Sequence, residues 1–303
     1  MTLLLKKDYI EKYKKLTNFD EYEKTINQFS RKSIRINTLK TNVSKTKKSL
    51  SKNWMLKKIP WIQGGFWIKS ERRDLGNTYE HQLGYIYVQE AASMIPPLVL
   101  KPDEEDIILD AAAAPGSKTT QMAAMMKNNG LIVANDVTYY RMQSLVHNLQ
   151  RCGVLNTITT VTDAGKINFE FDKILLDAPC SGTGTIRGDT QNSKYSIHQY
   201  SQQLVRTISG IQKRLIFNMY KNLKSGGTLV YSTCSLDPEE DEEVIQYLLN
   251  ESDAKLEKIG PRIKSDVNLD YNSNYSSELK KCIKLWPQFY DTAGFFIAKI
   301  KKP

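Results

Sequence analysis

The segment Asp110–Lys118, DAAAAPGSK, decides the fold that we predict for this chain of 303 residues. It follows a short apolar run, passes through small residues and enters a helical pattern at Ser117. Small residues between a strand and a helix let a ligand approach the backbone at the carboxyl edge of a parallel sheet. The segment lacks the spaced glycines of a dinucleotide fingerprint and the spacing of a phosphate-binding P-loop. It therefore predicts a nucleotide-like ligand without a pyrophosphate cradle.

Predicted strands and helices alternate on both sides of this segment. Strand-like apolar runs occur at 106–109, 131–134, 157–161, 173–176 and 228–231, and helical patterns at 117–127, 138–151 and about 198–223. Such alternation is typical of a parallel sheet with helices on both faces. The apolar segments 282–286 and 294–300 predict an antiparallel pair at the sheet edge. The predicted fold class is α/β, with a mostly parallel sheet and an antiparallel edge hairpin.

The first part of the chain has a different pattern. It predicts helices at 5–16, 19–29 and 42–52 and strands at 34–39, 54–59 and 65–69, which together indicate a small α+β module. The polar stretch Ser70–Thr78 contains a glycine and predicts a boundary. We therefore divide the chain into a module over 1–75 and a second domain over 76–303.

Positive charge is concentrated in the first module. Residues 1–80 contain 19 Lys and Arg against 8 Asp and Glu, whereas the rest of the chain contains 24 against 25. This segregation favours a module that binds a polyanion such as RNA, although a solvated lysine-rich face would also produce it. Four aromatic residues lie among these lysines and would either stack on unpaired bases or form the module's core: Trp54, Trp61, Phe66 and Trp67.

The composition also excludes several classes of protein. No run approaches the roughly 18 apolar residues of a membrane-spanning helix, and the start of the chain is not a secretory signal. We therefore expect a cytoplasmic protein with no membrane partner. The four cysteines lie far apart, with no CxxC pair and only three histidines in the chain, which predicts no metal site.

Acidic residues follow three successive predicted strands. Asp136 follows the second strand, Asp163 the third and Asp177 the fourth. A carboxylate after the second strand can accept ribose hydroxyls, and Asp163 would then lie near the adenine. Each residue alone is adequately explained as a turn residue, but three acids at one edge favour a binding site. An adenosyl group bound without a phosphate cradle predicts S-adenosylmethionine (SAM) as the cofactor.

Two cysteines lie in polar turns at strand ends. Cys180 and Cys234 have this placement, whereas Cys152 and Cys282 are predicted to pack in the core. A thiolate that adds to C6 of cytosine makes C5 nucleophilic enough to attack the methyl group of SAM. Asp177 is placed to stabilise such an adduct near N3 of the base. The base must be unpaired or turned out of its stack to be reached.

Several motifs together resemble the Sun/Fmu-type RNA cytosine-5 methyltransferases over nearly the whole chain. They are IRINTLK (34–40), VQEAAS (88–93), DAAAAPGSK (110–118), DAPCSGTG (177–184), STCSLDPEEDE (232–242) and GFFIAKI (294–300). The resemblance implies a Rossmann-like SAM-dependent methyltransferase fold behind a small RNA-binding domain. It also implies that Cys234 is the nucleophile and that Cys180 assists product release.

The same resemblance implies a set of cofactor-binding residues. They are Ala112, Ala113, Ala114, Pro115, Gly116, Ser117, Lys118, Asp136, Arg141, Asp163 and Asp177. Ala112 and Ser117 replace a cysteine and a glycine of the family motif, and both replacements are small. A family motif that contains histidine near the C-terminus corresponds here to Trp286-Pro287-Gln288.

The predicted function is methyl transfer from SAM to C5 of cytidine in RNA. The short first module resembles that of the compact archaeal members, which favours tRNA over ribosomal RNA. One alternative is a non-catalytic RNA-binding protein with the same fold. Another is a small-molecule or protein methyltransferase, which would leave the two strand-end cysteines without a role. We expect a monomer that does not bind DNA.

Overall fold

A sheet of eight strands forms the centre of the larger part of the molecule. The computed structural model describes residues 3–69, 75–188, 191–260, 263 and 265–303. The strands in these ranges are β1 (Ser33–Ile36), β2 (Met55–Lys58), β3 (Gly65–Lys69), β4 (Ile86–Val88), β5 (Ile107–Asp110), β6 (Leu131–Asp136), β7 (Thr157–Val161), β8 (Phe171–Asp177), β9 (Leu223–Thr233), β10 (Lys255–Leu256), β11 (Ile283–Leu285) and β12 (Phe295–Lys301).

Helices connect most of these strands. They are α1 (Lys7–Leu16), α2 (Phe19–Ile26), α3 (Val43–Leu50), α4 (Tyr79–Gln82), α5 (Ile95–Leu100), α6 (Ser117–Met125), α7 (Tyr139–Cys152), α8 (Gln191–Gln199), α9 (Gln202–Lys221), α10 (Glu242–Glu251) and α11 (Pro287–Tyr290). None of the helices in the described ranges is long and apolar enough to cross a membrane.

The central sheet has the predicted mixture of parallel and antiparallel pairs. Its strand order is β10, β12, β9, β8, β5, β6, β7, and β11 also pairs with β12. Strands β5 to β9 are parallel, whereas β12 runs antiparallel to β9, β10 and β11. The α/β fold with an antiparallel edge hairpin is therefore confirmed. The strand order reverses at β5 and β8, and ligands bind at such a switch point in open α/β sheets.

Apolar side chains cover both faces of this sheet. Leu175 and Val230 belong to a buried cluster with residues of α5 and α6. Their neighbours Leu176 and Tyr231 belong to a cluster with residues of α9 and α10. Successive strand residues point to opposite faces, so runs such as Ile174–Leu176 are buried on both sides. Burial on both faces explains why these strands are continuously apolar.

A second, antiparallel sheet contains the strands of the first module. Its order is β2, β3, β1, β4. Strand β4 pairs with β1 although it lies beyond residue 75, which is where we predict the boundary. Residues 70–74 of the predicted boundary stretch lie outside the described residues. The division into 1–75 and 76–303 stays a prediction.

The four aromatic residues of this module form core rather than a stacking surface. Trp54 and Phe66 are buried within the small sheet's own cluster. Trp61 and Trp67 are buried where the module meets α5 and the end of the chain. The hypothesis that unpaired bases stack on these rings is therefore wrong. The lysines of β2 are exposed, whereas the consecutive residues Phe66 and Trp67 of β3 are buried in two different clusters on opposite faces of the strand.

The predicted helix at about 198–223 corresponds to α9, which is shorter because it begins at Gln202 and ends at Lys221. The helix before it, α8, ends at Gln199, and the sequence pattern did not predict it. The Ser201 hydroxyl accepts a hydrogen bond from the Leu204 N–H at 3.1 Å and begins α9. Strand β9 is also longer than predicted, because it begins at Leu223 rather than at residue 228.

Candidate active site

The loop between β5 and α6 has the predicted small-residue geometry. Gly116 precedes α6 with φ +100°, a conformation that favours glycine. A Cβ atom at Gly116 would lie 2.9 Å from the Leu145 side chain of α7. The segment Ala112–Lys118 therefore packs closely between β5 and α7. Its backbone lies at the carboxyl edge of the sheet, as a ligand site requires.

Asp136 holds this loop in place. Its side chain is buried at the end of β6, and its two oxygens accept from the N–H groups of Ala114 at 3.1 Å and Val137 at 2.8 Å. The Arg141 guanidinium lies 3.3 Å from the same carboxylate and donates to the Ala114 carbonyl at 3.1 Å. The oxygen that accepts from Ala114 has a further lone pair that a ribose hydroxyl could use. Asp136 and Arg141 thus lie together in the predicted cofactor region.

Asp163 lies at the same edge but has a partner that the sequence did not predict. It follows β7, and its carboxylate accepts from the Gly165 N–H at 2.8 Å. Arg214 of α9 forms an ion pair with it at 3.0 Å, and this hydrogen-bonded pairing lowers the pKa of Asp163. The carboxylate is only one-third exposed. A ligand here would meet a carboxylate whose charge is already paired.

Asp177 and Lys118 join the cofactor loop to the cysteine loops. The Lys118 ammonium lies 2.7 Å from one oxygen of Asp177 and donates to the Ser93 hydroxyl at 2.9 Å. The Ser232 hydroxyl of β9 donates to the other oxygen at 2.7 Å. These contacts therefore fix the orientation of the Asp177 carboxylate beside the point where the strand order reverses. The VQEAAS motif contributes Ser93 to this arrangement, a role that the sequence alone did not indicate.

The two strand-end cysteines are in contact. The Sγ atoms of Cys180 and Cys234 lie 2.9 Å apart. Gly184 of the Cys180 loop donates its N–H to the Cys234 carbonyl at 2.9 Å and accepts from the Gly294 N–H at 2.7 Å. A Cβ atom at Gly184 would lie 2.4 Å from the Gly294 carbonyl oxygen, so only glycine fits here. Cys152 and Cys282 are buried, as predicted for packing residues.

The surroundings of Cys180 favour its protonated form. The hydrogen bond with Cys234, together with burial and the nearby Glu240 and Asp177, raises the pKa of Cys180 well above its usual value. Cys180 therefore keeps its proton at neutral pH. The protonated Cys180 thiol can donate a hydrogen bond to the Cys234 sulfur.

Acidic residues after Cys234 form a network that sequence reasoning missed. Asp237 is fully buried and accepts from Thr183 of the Cys180 loop at 2.8 Å and from Lys12 of α1 at 2.5 Å. Glu240 accepts from the Ser181 N–H at 2.9 Å and from the Ser235 hydroxyl at 3.1 Å. Burial raises the pKa of Glu240. The acid run in STCSLDPEEDE was the available signal, since consecutive acids are rarely buried without partners.

Chemically, this edge can bind an adenosyl group and supply a nucleophile. Carboxylates end β6 and β8, another lies just beyond β7, and a small-residue loop follows β5. The described residues contain no cluster of His, Cys, Asp or Glu suited to a metal ion. The side chains at this edge fit SAM. The Asp136 carboxylate can accept hydrogen bonds from hydroxyls at the predicted ribose position, and the Lys118–Asp177 pair lies beside the two thiols. A mostly parallel sheet whose carboxyl edge holds this loop and these carboxylates defines a Rossmann-like methyltransferase.

Comparison with known proteins gives the family. Residues 97–301 match the model described as 16S rRNA methyltransferase RsmB/F, and residues 5–91 match the model of the N-terminal domain of 16S rRNA methyltransferase RsmF. The chain therefore belongs to the RsmB/F family, the Sun/Fmu-type RNA cytosine-5 methyltransferases that its motifs resemble. The resemblance stated from the sequence is confirmed, and the protein is an enzyme of this methyltransferase family.

Individual relatives differ in length. The tRNA (cytosine(49)-C(5))-methyltransferase of Pyrococcus abyssi is 47% identical over 99% of this chain and 97% of its own length. The ribosomal RNA small subunit methyltransferase F of Aliivibrio salmonicida is 41% identical over 94% of this chain but only 60% of its own. A solved methyltransferase homolog protein from Pyrococcus horikoshii superposes with a TM-score of 0.84 at 36% identity, covering 99% of this chain and 100% of that one.

Proposed function

We propose that this protein transfers a methyl group from SAM to C5 of cytidine in tRNA. The observation that carries the proposal is the contact between two strand-end cysteines beside the lysine–aspartate pair at the switch point. A second structure with the same fold, NSun6 from Pyrococcus horikoshii (TM-score 0.86 over 98% of each chain, 24% identity), was solved with SFG, an analogue of SAM. This supports SAM as the cofactor.

The proposed reaction uses Cys234 as the nucleophile. Its thiolate adds to C6 of the cytosine ring, and the electrons released at C5 form a bond to the incoming methyl group. When bound, SAM would supply that methyl group from its sulfonium sulfur, which would leave with the bonding electrons. The C5 proton then leaves to a base, the bond between C6 and Cys234 breaks, and the aromatic ring is restored. We assign Cys180 to this release step as a hydrogen-bond donor to the departing Cys234 sulfur, because the two sulfur atoms are in contact.

Other residues of this chain orient the reactants. Lys118 and Ser232 fix the two oxygens of Asp177, which we propose contacts N3 of the base and stabilises the adduct. Asp136 and Arg141 hold the loop at Ala114, and we propose that Asp136 also accepts the ribose hydroxyls of SAM. The remaining predicted cofactor residues, among them Asp163, stay predictions.

Sequence identity favours tRNA as the substrate. The chain is 47% identical to the archaeal tRNA relative, of which it covers 97%, and 41% identical to the bacterial ribosomal RNA relative, of which it spans 60%. Cytidine 49 is the position to test first, since the archaeal relative is named for it. The predictions of a cytoplasmic monomer that does not bind DNA remain predictions.

The test combines methyl transfer with trapping of the adduct. The purified protein is incubated with SAM and unmodified tRNA, and 5-methylcytosine is mapped by bisulfite sequencing. The Cys180→Ala variant should accumulate a protein–RNA adduct that survives denaturing electrophoresis. Cys234→Ala should form none and lose methyl transfer by at least about 10³-fold. Cys152→Ala, at a buried cysteine outside the site, is the matched control and should methylate without accumulating adduct.

Each other outcome has a definite meaning. An adduct with Cys234→Ala would reverse the roles of the two cysteines. Preferential methylation of ribosomal RNA would support the alternative substrate. RNA binding without methyl transfer by the parent protein would support the non-catalytic alternative.

A further inference from the structure

A groove with excess positive charge lies between the small sheet and the end of the chain. It encloses about 560 Å³, and its lining includes Arg31, Lys57, Lys58, Trp67, Tyr290 and Asp291. Lys57 and Lys58 belong to β2, Trp67 to β3 and Tyr290 to α11. The groove therefore joins the module that we predict to bind RNA with the segment that leads into β12.

The charges of the groove favour an anion. Among the lining residues that the structure describes, the one carboxylate is that of Asp291, which forms ion pairs with Arg31 at 2.8 Å and with Arg187. Lys57 and Lys58 are exposed, and neither forms an ion pair with any residue that the structure describes. By contrast, a cavity of about 550 Å³ beside α1 has four acidic and three basic lining residues. Of the two, the groove is the one that suits a phosphate backbone.

One wall of the groove offers a stacked guanidinium. The Arg31 guanidinium carbon lies 4.0 Å from the centre of the Trp67 ring, and Arg31 also donates to the Tyr290 carbonyl. Its side chain is 31% exposed, so part of the guanidinium remains accessible. Guanidinium planes held in this way are surfaces on which unpaired RNA bases stack.

The wall of the groove leads directly to the catalytic cysteines. Gly294 lies four positions after Tyr290, so their Cα atoms are at most about 14 Å apart. The Gly294 N–H donates to Gly184 at 2.7 Å, and the Gly184 N–H donates to the Cys234 carbonyl at 2.9 Å. A strand bound in the groove therefore lies within a few nucleotides of a base that is bonded to Cys234.

We propose that this groove binds the RNA strand immediately beside the target cytidine, with Lys57 and Lys58 on its phosphates and one neighbouring base stacked on Arg31. This inference rests on the proposed function, since it assigns the path of that enzyme's substrate. It assigns a role in RNA binding to part of the positive charge of the first module, at Arg31, Lys57 and Lys58. The groove determines where the strand lies, whereas the cysteines perform the reaction.

The test removes two charges from the groove and two from elsewhere in the same module. Lys57→Gln/Lys58→Gln is compared with Lys48→Gln/Lys52→Gln, whose lysines are also exposed and lie outside the groove. Binding of fluorescent unmodified tRNA is measured across a salt series, and KM and kcat are measured at saturating SAM. The groove variant should weaken binding on the order of tenfold and lower the slope of log K against log salt by about 1 to 2. KM should rise correspondingly, and kcat should not change.

The outcomes separate this inference from the proposed function. Equal effects of the two double variants would overturn the groove, because charge alone would then explain the loss. A fall in kcat at unchanged KM would also overturn it, since the lysines would then act on the chemical step. If the parent protein binds tRNA but does not methylate it, the proposed function fails, and the binding series still decides whether RNA occupies the groove. Thermal melting of both variants near the parent value establishes that they are folded.

Discussion

Asp110 ends β5 with its carboxyl group enclosed by protein. It is 1% exposed, and one oxygen accepts from the Thr119 hydroxyl at 2.7 Å. The other oxygen has no hydrogen-bond partner. Burial is the main cause that raises the pKa of Asp110 to about 7, and the nearby carboxylates Asp177 and Asp136 add to it. The residue at the start of the cofactor loop is therefore mostly protonated below neutral pH.

This raised pKa predicts a pH dependence of stability. Between pH 4 and pH 7 the unfolded chain releases the Asp110 proton while the folded protein keeps it, so stability falls as pH rises. From the shift between 3.8 and about 7, the contribution lost by pH 7 is about 4 kcal/mol. Asp110→Asn removes this titration. Urea unfolding from pH 4 to 8 should show the parent losing stability relative to the variant by that amount, and parallel profiles would contradict the assignment.

At the scale of residues, the sequence predicts positions better than partners. Asp136, Asp163 and Asp177 lie at the carboxyl edge as expected, because a strand end followed by a polar turn is a local signal. Arg214 pairs with Asp163 from a helix 51 residues away in the chain, and no local pattern reports that contact. Burial of Asp110 likewise depends on the packing of helices that follow it.

At the scale of elements, two glycines give a matched pair of predictions. Gly184 lies where a Cβ atom would meet backbone of Gly294 and Cys234, whereas a Cβ atom at Gly210 of α9 would meet nothing within 4 Å. Gly184→Ala should displace the Cys180 loop and lower kcat by about 10²-fold, since small displacements of reacting groups are costly. Gly210→Ala should leave kcat unchanged and stabilise the protein by about 0.5–1 kcal/mol.

Steady-state methylation and urea unfolding of both glycine variants check this pair. If Gly184→Ala retains full activity, the close approach of the loops is not needed for catalysis. If Gly210→Ala is destabilising, helix propensity does not govern α9 at that position.

The same scale shows which elements the sequence could predict. The run Ile174–Leu176 of β8 is buried on both faces and apolar throughout, so the sequence predicts this strand. Strand β4 has three residues and is stabilised by its pairing with β1, so it had no distinct local pattern. The first residue of α9 is set by the Ser201 cap, which helical periodicity alone does not locate.

At the scale of the whole molecule, a buried ion pair connects the first module to the cysteine loops. Lys12 of α1 is 7% exposed and contacts Asp237 at 2.5 Å and Glu239 at 2.6 Å. Burial alone would lower the pKa of Lys12, but the two carboxylates outweigh it and raise the pKa. Sequence patterns could not reveal this contact, because nothing in the local sequence distinguishes Lys12 from the many lysines that are exposed on the surface.

Removing Lys12 tests how strongly this connection supports the fold and the site. Lys12→Met leaves Asp237 buried without its cation, which should lower the free energy of unfolding by about 3–5 kcal/mol. Lys7→Met, at a side chain that is 90% exposed on the same helix, removes the same charge and should change stability by less than about 0.5 kcal/mol. Urea unfolding of both variants measures the difference, and equal small effects would show that the pair contributes little.

Because Asp237 also holds Thr183 of the Cys180 loop, kcat of the folded Lys12→Met variant should fall as well. Loss of stability with full kcat would mean that the first module and the cysteine loops are coupled in folding but not in catalysis.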